Sequence, residues 1–303
     1  MDQIFYFPLF KFVPHKIKTN MKNILVLYSG GLDSRLAVKI LKEQGYRLTA
    51  VFFKLPFSKE KPVYDAFLKE ESVPLVTFDC TRGRLLRKYL EVLKHPRYKR
   101  GAGYNPCLDC KLFMLKELEG YARENDFEAI ATGEVPGQRP MSQTSKKMKT
   151  LEENTEIKLI RPLAEKDIHG RSRKKQMAMA EAWNISYPSP AGGCLLCEKE
   201  LAKRFEILIT RNLITESTLS LVNLGRHFCY SEENAWFVVG RDKKENEVIE
   251  TFEQVIESGK GKPAVFYYSD SDIDYARKEA QRLQRAYQEK DTEAISHYTN
   301  WKL

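Results

Sequence analysis

Ile24-Leu25-Val26-Leu27-Tyr28-Ser29-Gly30-Gly31-Leu32-Asp33-Ser34 is the stretch whose reading decides the fold. A short apolar run ends in a Ser-Gly-Gly turn. A helical pattern follows at once, with Leu36, Ala37, Ile40 and Leu41 spaced to share one face. A strand, a glycine turn and a helix start in that order leave backbone N–H groups free at the helix N-terminus, where they can hold an anion. Gly30 and Gly31 carry no Cβ, so the backbone can approach that anion closely, and Ser29 and Ser34 add hydroxyl donors. No Gly-Lys-Ser/Thr follows, which excludes the Walker phosphate loop.

Outward from this turn, residues 23–132 alternate between strand and helix patterns. Strands are expected at Ile24–Tyr28, Leu48–Phe53, Leu75–Phe78 and Ala129–Thr132. Helices are expected at Asp33–Gln44, Pro62–Glu71, Arg84–Lys94 and Leu108–Asn125. Short apolar strands between amphipathic helices predict an α/β fold with a doubly wound parallel sheet. Ligands of such sheets sit beyond the carboxyl ends of the strands. Ser29–Ser34 and Thr132-Gly133-Glu134 both follow strands and should face one cleft, and Phe53 is placed either to flank an adenine or in the core.

Beyond residue 134 the pattern changes. Residues 134–158 read as a polar loop containing Gln138, Arg139 and several lysines, long enough to cover a substrate. A dense basic run, Gly170-Arg171-Ser172-Arg173-Lys174-Lys175, opens a helix through Met177, Ala180 and Trp183. After Gly193 the alternation stops. Residues 201–303 are expected to form a small α+β domain, with helices near Lys199–Arg211 and Asp272–Gln288 and strands at Ala235–Val239 and Ala264–Tyr268.

Charge and cysteine usage narrow the chemistry. The chain of 303 residues carries a net charge of +9, which suits a polyanionic partner. Two segments concentrate it: Arg97, Lys99 and Arg100 beside Tyr98, and Arg171, Arg173 and Lys174. Cations interleaved with aromatics suit a phosphate backbone with unpaired bases, and a solvated helix face is the plain alternative. No apolar run reaches membrane-spanning length, and Met1–Leu9 lacks the features of a signal peptide, so a cytoplasmic protein is expected, with residues 1–20 as an extension before Met21.

Four of the six cysteines form two Cys-x-x-Cys pairs, Cys107/Cys110 and Cys194/Cys197. In a chain without an export signal this reads as metal or redox chemistry. Three readings stay open: a structural zinc on four thiolates, an iron–sulfur cluster on three of them, or a thiol pair that carries and resolves a persulfide.

Ser29-Gly30-Gly31-Leu32-Asp33-Ser34 resembles the Ser-Gly-Gly-x-Asp-Ser signature of the PP-loop (N-type) ATP pyrophosphatases. Asn105-Pro106-Cys107-Leu108-Asp109-Cys110, Ala131-Thr132-Gly133 and Gly192-Gly193-Cys194 follow in the order found in the tRNA 2-thiouridine synthetases. The resemblance covers about residues 22–200 and implies ATP-dependent thiolation of a tRNA uracil, with ATP, Mg2+, tRNA and a sulfur donor as partners. It implies that Ser29, Gly30, Gly31, Asp33, Ser34, Phe53 and Gly133 serve ATP. Asp33, Cys110 and Cys194 would be catalytic, the two cysteines matching those essential in that family. Cys107, Cys110 and Cys194 would hold a 4Fe-4S cluster, with Cys197 as a spare fourth ligand. Glu134 departs from the family, which has His there. Gly225-Arg226 and Val239-Gly240-Arg241-Asp242 resemble an NFACT-R-type RNA-binding domain, which would add Arg226 to the RNA contacts. The competing readings are a PP-loop ligase or sulfurtransferase acting on a small molecule, and a non-catalytic RNA-binding protein with a structural zinc.

Overall fold

The computed structural model describes residues 22–58, 66–189, 193–230 and 233–299. The expected extension at 1–20, the first turn of the helix expected from Pro62, and Gly192 lie outside the described residues. The chain divides into two compact units, one of residues 1–101 with 106–193 and one of residues 102–105 with 194–303. Among the described residues no helix is long and apolar enough to cross a membrane.

The first unit is built on strands β1 (Asn23–Leu27), β2 (Arg47–Lys54), β3 (Leu75–Asp79), β4 (Ala129–Thr132) and β5 (Lys158–Ile160). They form one sheet in the order β3-β2-β1-β4-β5, and all the pairings are parallel. The helices are α1 (Leu32–Glu43), α2 (Ala66–Glu70), α3 (Gly83–Lys94), α4 (Cys107–Glu124), α5 (Ser145–Glu153), α6 (Pro162–Glu165) and α7 (Lys174–Ala182). The doubly wound parallel sheet expected from the sequence is therefore present. β1 lies at its centre because Ile24, Leu25 and Val26 are buried on both sides, so no polar face exists for water. On one face, Leu36, Ala37, Ile40 and Leu41 of α1 pack with Phe67 of α2, Leu163 of α6 and Ala180 of α7. On the other, Phe53 stacks on Phe78 with ring centroids 4.8 Å apart and meets Phe113 of α4 edge-on.

Two parts of this unit differ from the sequence reading. The stretch expected as a polar loop over 134–158 contains α5, capped by the Thr144 hydroxyl, which accepts from the Lys147 N–H at 3.3 Å. Only Met148 and Leu151 of α5 are buried, so its apolar period is too sparse to stand out. The helix expected from Gly170 starts at Lys174, because Gly170 adopts φ +78° and breaks the approach.

The strand order reverses between β1 and β4, and there two backbones come very close. A Cβ on Gly133 would lie 2.6 Å from the Asp33 carbonyl oxygen and 2.8 Å from the Ser34 nitrogen. Gly133 thus lets the end of β4 press against the first turn of α1.

The second unit carries α8 (Ala202–Thr210), α9 (Glu216–Leu221), β6 (Arg226–Tyr230), β7 (Ala235–Val239), α10 (Lys243–Ile249), β8 (Val255–Ile256), β9 (Val265–Ser269), α11 (Ile273–Glu289) and α12 (Thr292–Thr299). Its antiparallel sheet runs β6-β7-β9-β8. Every residue of β7 is buried, which requires cover on both faces. Ala276, Ala280 and Leu283 of α11 pack on one face with Phe228, Phe237 and Val265. On the other face His227 meets Trp236 edge-on at 5.1 Å and donates from Nε2 to the Leu224 carbonyl. Burial and the neighbouring Arg204 push His227 down to about 3, with Arg241 adding to the fall and the Leu224 carbonyl and Glu245 opposing it.

Two outcomes follow from these contacts. Gly133→Ala should destabilise the first unit by about 1–3 kcal/mol in urea unfolding, because backbone has to move to admit the methyl. His227 is held neutral while the unfolded chain takes up its proton as pH falls through the ordinary value of 6.5, so its contribution is full above 6.5 and is lost as pH falls toward 3. The midpoint of thermal unfolding of the second unit should fall as pH drops across that window, and His227→Asn should flatten the dependence.

Candidate active site

The site is built from the turn after β1. Gly30 takes φ +80°, a conformation open to glycine, and Gly31 is the N-cap of α1. The loop carbonyls are engaged by the helix that follows. Arg35 Nε donates to the Gly30 carbonyl at 2.7 Å, and its Nη1 donates to the Ser186 carbonyl at 2.6 Å. The Ser34 hydroxyl donates to the Gly31 carbonyl at 2.9 Å and lies 3.5 Å from the Ser29 hydroxyl. With these carbonyls occupied, the first-turn N–H groups of α1 are what the loop offers to an incoming anion. Ser29, Gly30, Gly31, Asp33, Ser34 and Gly133 are thereby brought together. Gly133 reaches the loop backbone itself, where the sequence reading had it passing a nucleotide.

Asp33 is the charged centre of this region. Burial pushes its carboxyl up, and Arg173, Gln138, Arg139 and Gln176 favour its charged form. Asp33 Oδ1, Arg173 Nε and both amide atoms of Gln176 are buried with no hydrogen bond of good geometry among the described residues. Gln138 and Gln176 are the amide side chains near enough to Asp33 to favour its charged form. Buried polar atoms are nearly always satisfied, so several orphans around one carboxylate fit a site whose partners come from a bound group. A nucleotide's phosphates suit Arg173, the glutamine amides and the loop N–H groups, and a divalent cation suits Asp33.

Of these neighbours of Asp33, Gln176 is the one that sequence reasoning missed, while Arg173, Gln138 and Arg139 were named in other roles. Arg173 was grouped with Arg171 and Lys174 as an RNA contact. The structure separates them: Arg171 and Lys174 are exposed, whereas Arg173 is half-buried and acts on Asp33. Gln138 and Arg139 follow β4, and that position beyond a strand's carboxyl end was the available signal. Phe53 is buried among Phe78 and Phe113, the core alternative of its two readings.

Glu134, next to Gly133, is buried and carries two cations. Arg161 Nε lies 3.3 Å from its Oε2, and Lys111 Nζ lies 3.6 Å from its Oε1. Lys111 follows Cys110 on α4, so this ion cluster ties the cysteine-bearing helix to the end of β4. Cys107 and Cys110 stand one turn apart at the start of α4, and the Tyr89 hydroxyl is 3.4 Å from Cys110 Sγ. Cys80, just after β3, is buried and pushed up to about 12 by burial, then by Cys110 and Asp79. Cys194 and Cys197 belong to the second unit, on a short 3-10 turn. None of the six cysteines is joined in a disulfide. Within either unit, among the described residues, no group of three or more His, Cys, Asp or Glu is gathered that could hold a metal ion.

The expected RNA contacts divide as well. Arg97 and Lys99 are exposed, and the Arg97 guanidinium lies over the Tyr98 ring at 5.6 Å. Arg100 is committed elsewhere: its Nη2 donates to the carbonyls of Leu93 and Lys94, closing the end of α3. Arg226 stands over the Tyr287 ring at 5.8 Å in the second unit.

A tRNA-specific 2-thiouridylase from Campylobacter curvus is 34% identical over 121 residues, which cover 36% of this chain and 34% of that protein. A probable tRNA sulfurtransferase from Methanocaldococcus jannaschii is 28% identical over 144 residues, covering 46% of this chain and 36% of that one. The chain thus spans about a third of the length of the curated relatives it matches. Among solved structures, a 4-thiouridine synthetase–RNA complex with bound ATP aligns with 66% of this chain and 52% of that one, at 18% identity and a TM-score of 0.40. The family profile described as Thiamine biosynthesis protein (ThiI) matches residues 19–195, more than half of the sequence, and the chain belongs to the ThiI family.

Proposed function

We propose that this protein thiolates a uracil of tRNA at the expense of ATP. The observation that carries the proposal is the set of orphaned buried polar atoms around Asp33, at the N-terminus of α1 and beyond the carboxyl end of β1. The relatives named as a tRNA-specific 2-thiouridylase and a tRNA sulfurtransferase support tRNA as the substrate.

The chemistry has two steps. A uracil carbonyl oxygen attacks the α-phosphorus of ATP, the base gives up its N3 proton, and pyrophosphate leaves. Sulfide-level sulfur then attacks the activated carbon, and AMP departs with the oxygen, leaving a C=S bond. The N–H groups of Gly31 to Ser34 and the Arg173 guanidinium hold the leaving pyrophosphate, and Asp33 holds its Mg2+. Burial of Asp33 excludes competing water ligands and strengthens that attraction. The target base has to leave its stack to reach the oxygen-activating phosphate. Arg97, Lys99, Arg171 and Lys174 neutralise the RNA backbone, with Arg226 of the second unit as a further contact in the NFACT-R-like role.

Sulfur delivery falls to the cysteines. Thiols in two Cys-x-x-Cys pairs, none of them in a disulfide, suit a soft metal centre in donor type, and Cys107, Cys110 and Cys194 would hold a 4Fe-4S cluster with Cys197 in reserve. When bound, such a cluster supplies an open iron for sulfide. Zinc on the same thiolates and a persulfide on Cys110 or Cys194 are the competing assignments. The sulfur donor is a small sulfide source or a persulfide carrier.

With tRNA, ATP and sulfide present, AMP and pyrophosphate should form in step with thionucleoside, and release of ADP and phosphate instead would overturn the assignment. Arg173→Ala and Asp33→Asn should each lower kcat/KM by about 100-fold or more, as loss of one preorganised charge at a transition state does. Anaerobically purified protein should carry iron, and Cys107→Ala, Cys110→Ala and Cys194→Ala should each lose it. An active, iron-free protein with cyanide-labile sulfur would assign the persulfide route.

A further inference from the structure

Asp109 lies inside the first cysteine pair, at the third position of α4. A carboxylate there ordinarily faces water and favours the helix N-terminus through its charge. Here it is only 7% exposed. Its two oxygens are both used on the preceding loop: Oδ1 accepts from the Arg97 N–H at 2.8 Å, and Oδ2 accepts from the Tyr98 N–H at 3.2 Å. Two successive backbone N–H groups converging on one buried carboxylate make a tight, charge-assisted clamp. Arg100 fastens the other end of the loop, through the carbonyls of Leu93 and Lys94. The clamp leaves the Arg97 and Lys99 side chains exposed, with the Arg97 guanidinium over the Tyr98 ring and its Nη1 donating to Asn154 Oδ1 at 3.1 Å. The residue next to Asp109 is Cys110.

We infer that Asp109 is a positioning residue that registers the basic loop Arg97–Arg100 with the turn bearing Cys110, so that RNA phosphates are gripped at a set spacing from the sulfur-handling thiol. The inference rests on the tRNA-thiolation reading and adds to it the element that couples RNA grip to the cysteine helix. Alternating cations around an aromatic ring suit a single-stranded or flipped-out segment of RNA. A loop held only by its ends would spread those cations over many positions and lose part of the binding energy to ordering them.

Asp109→Asn is close to isosteric but presents an amide N–H2 to one of the two backbone donors. In the full-length chain it should speed hydrogen exchange at the Arg97 and Tyr98 amides and weaken tRNA binding about tenfold, at unchanged ATP affinity. Asp109→Glu should recover part of the loss. In an Arg97→Ala/Lys99→Ala background, Asp109→Asn should add no further loss of tRNA affinity, because its effect passes through those cations. Unchanged amide exchange, a fully additive loss in that background, or a parallel loss of ATP binding would each overturn the role. A wild-type chain that protects both amides yet binds no tRNA would overturn the RNA reading itself and reduce Asp109 to a structural anchor.

Discussion

The contact between Gly133 and the backbone of Asp33 and Ser34 is the constraint on which the rest of the first unit depends. It joins the ends of β4 and β1 where the strand order reverses. That is where a doubly wound sheet opens a crevice at its carboxyl edge. Any side chain at 133 would push the first turn of α1 away and carry Asp33 with it. Behind the same turn, Arg35 and Ser34 hold the loop carbonyls of Gly30 and Gly31. Sterics on one side and hydrogen bonds on the other therefore keep the loop N–H groups directed at the crevice before any ligand arrives. Preorganisation of this kind is what makes such a loop useful at a transition state.

A second layer of organisation is electrostatic and buried. Glu134 sits between Lys111 and Arg161, and Arg161 also pairs with Glu152 of α5. Desolvating these charges is costly, and breaking a buried pair by removing one partner typically costs about 3–5 kcal/mol. What the cluster contributes in return is connection, since it ties β4, α4 and α5 together around the crevice. Lys111 brings in α4, the helix that starts with Cys107 and Cys110, and Asp109 ties the basic loop to the same turn. One helix start thus gathers Cys107, Cys110, the ion cluster and the basic loop into a single piece of structure.

The second unit rests on a different balance. Its sheet is buried on both faces, and a neutral His227 lies against Trp236 beneath the Arg241–Glu245 ion pair. Arg241 bonds Glu245 through both its guanidinium and its backbone N–H, which holds the Glu245 carboxyl well below the usual carboxylate range. Asn246 accepts from the Ala264 N–H at 3.0 Å, in space that Gly240 leaves open. The Gly-Arg-Asp stretch is therefore largely occupied with holding the sheet to α10, and Arg226 is the cation of the two that stands over an aromatic ring.

The parallel sheet, its first four strands and the glycine turn after β1 were legible in the sequence because each rests on local rules. Buried strands show as short apolar runs, helix faces as a 3.6-residue period, and the turn as paired glycines between them. β5 and α5 were not legible, since three residues of strand and two apolar anchors on a polar helix carry too little periodic signal. The site shows the same division. The sequence by itself determined the loop Ser29–Ser34, the cysteine pairs and the basic segments, because their residue types and spacing carry the chemistry. Only the tertiary structure decided that Arg173 and Gln176 stand near Asp33, that Phe53 stacks on Phe78, that Arg100 closes a helix and that Asp109 clamps a loop. Those assignments depend on which distant backbones meet, and no local pattern of charge or hydrophobicity records where a long side chain finds its partner.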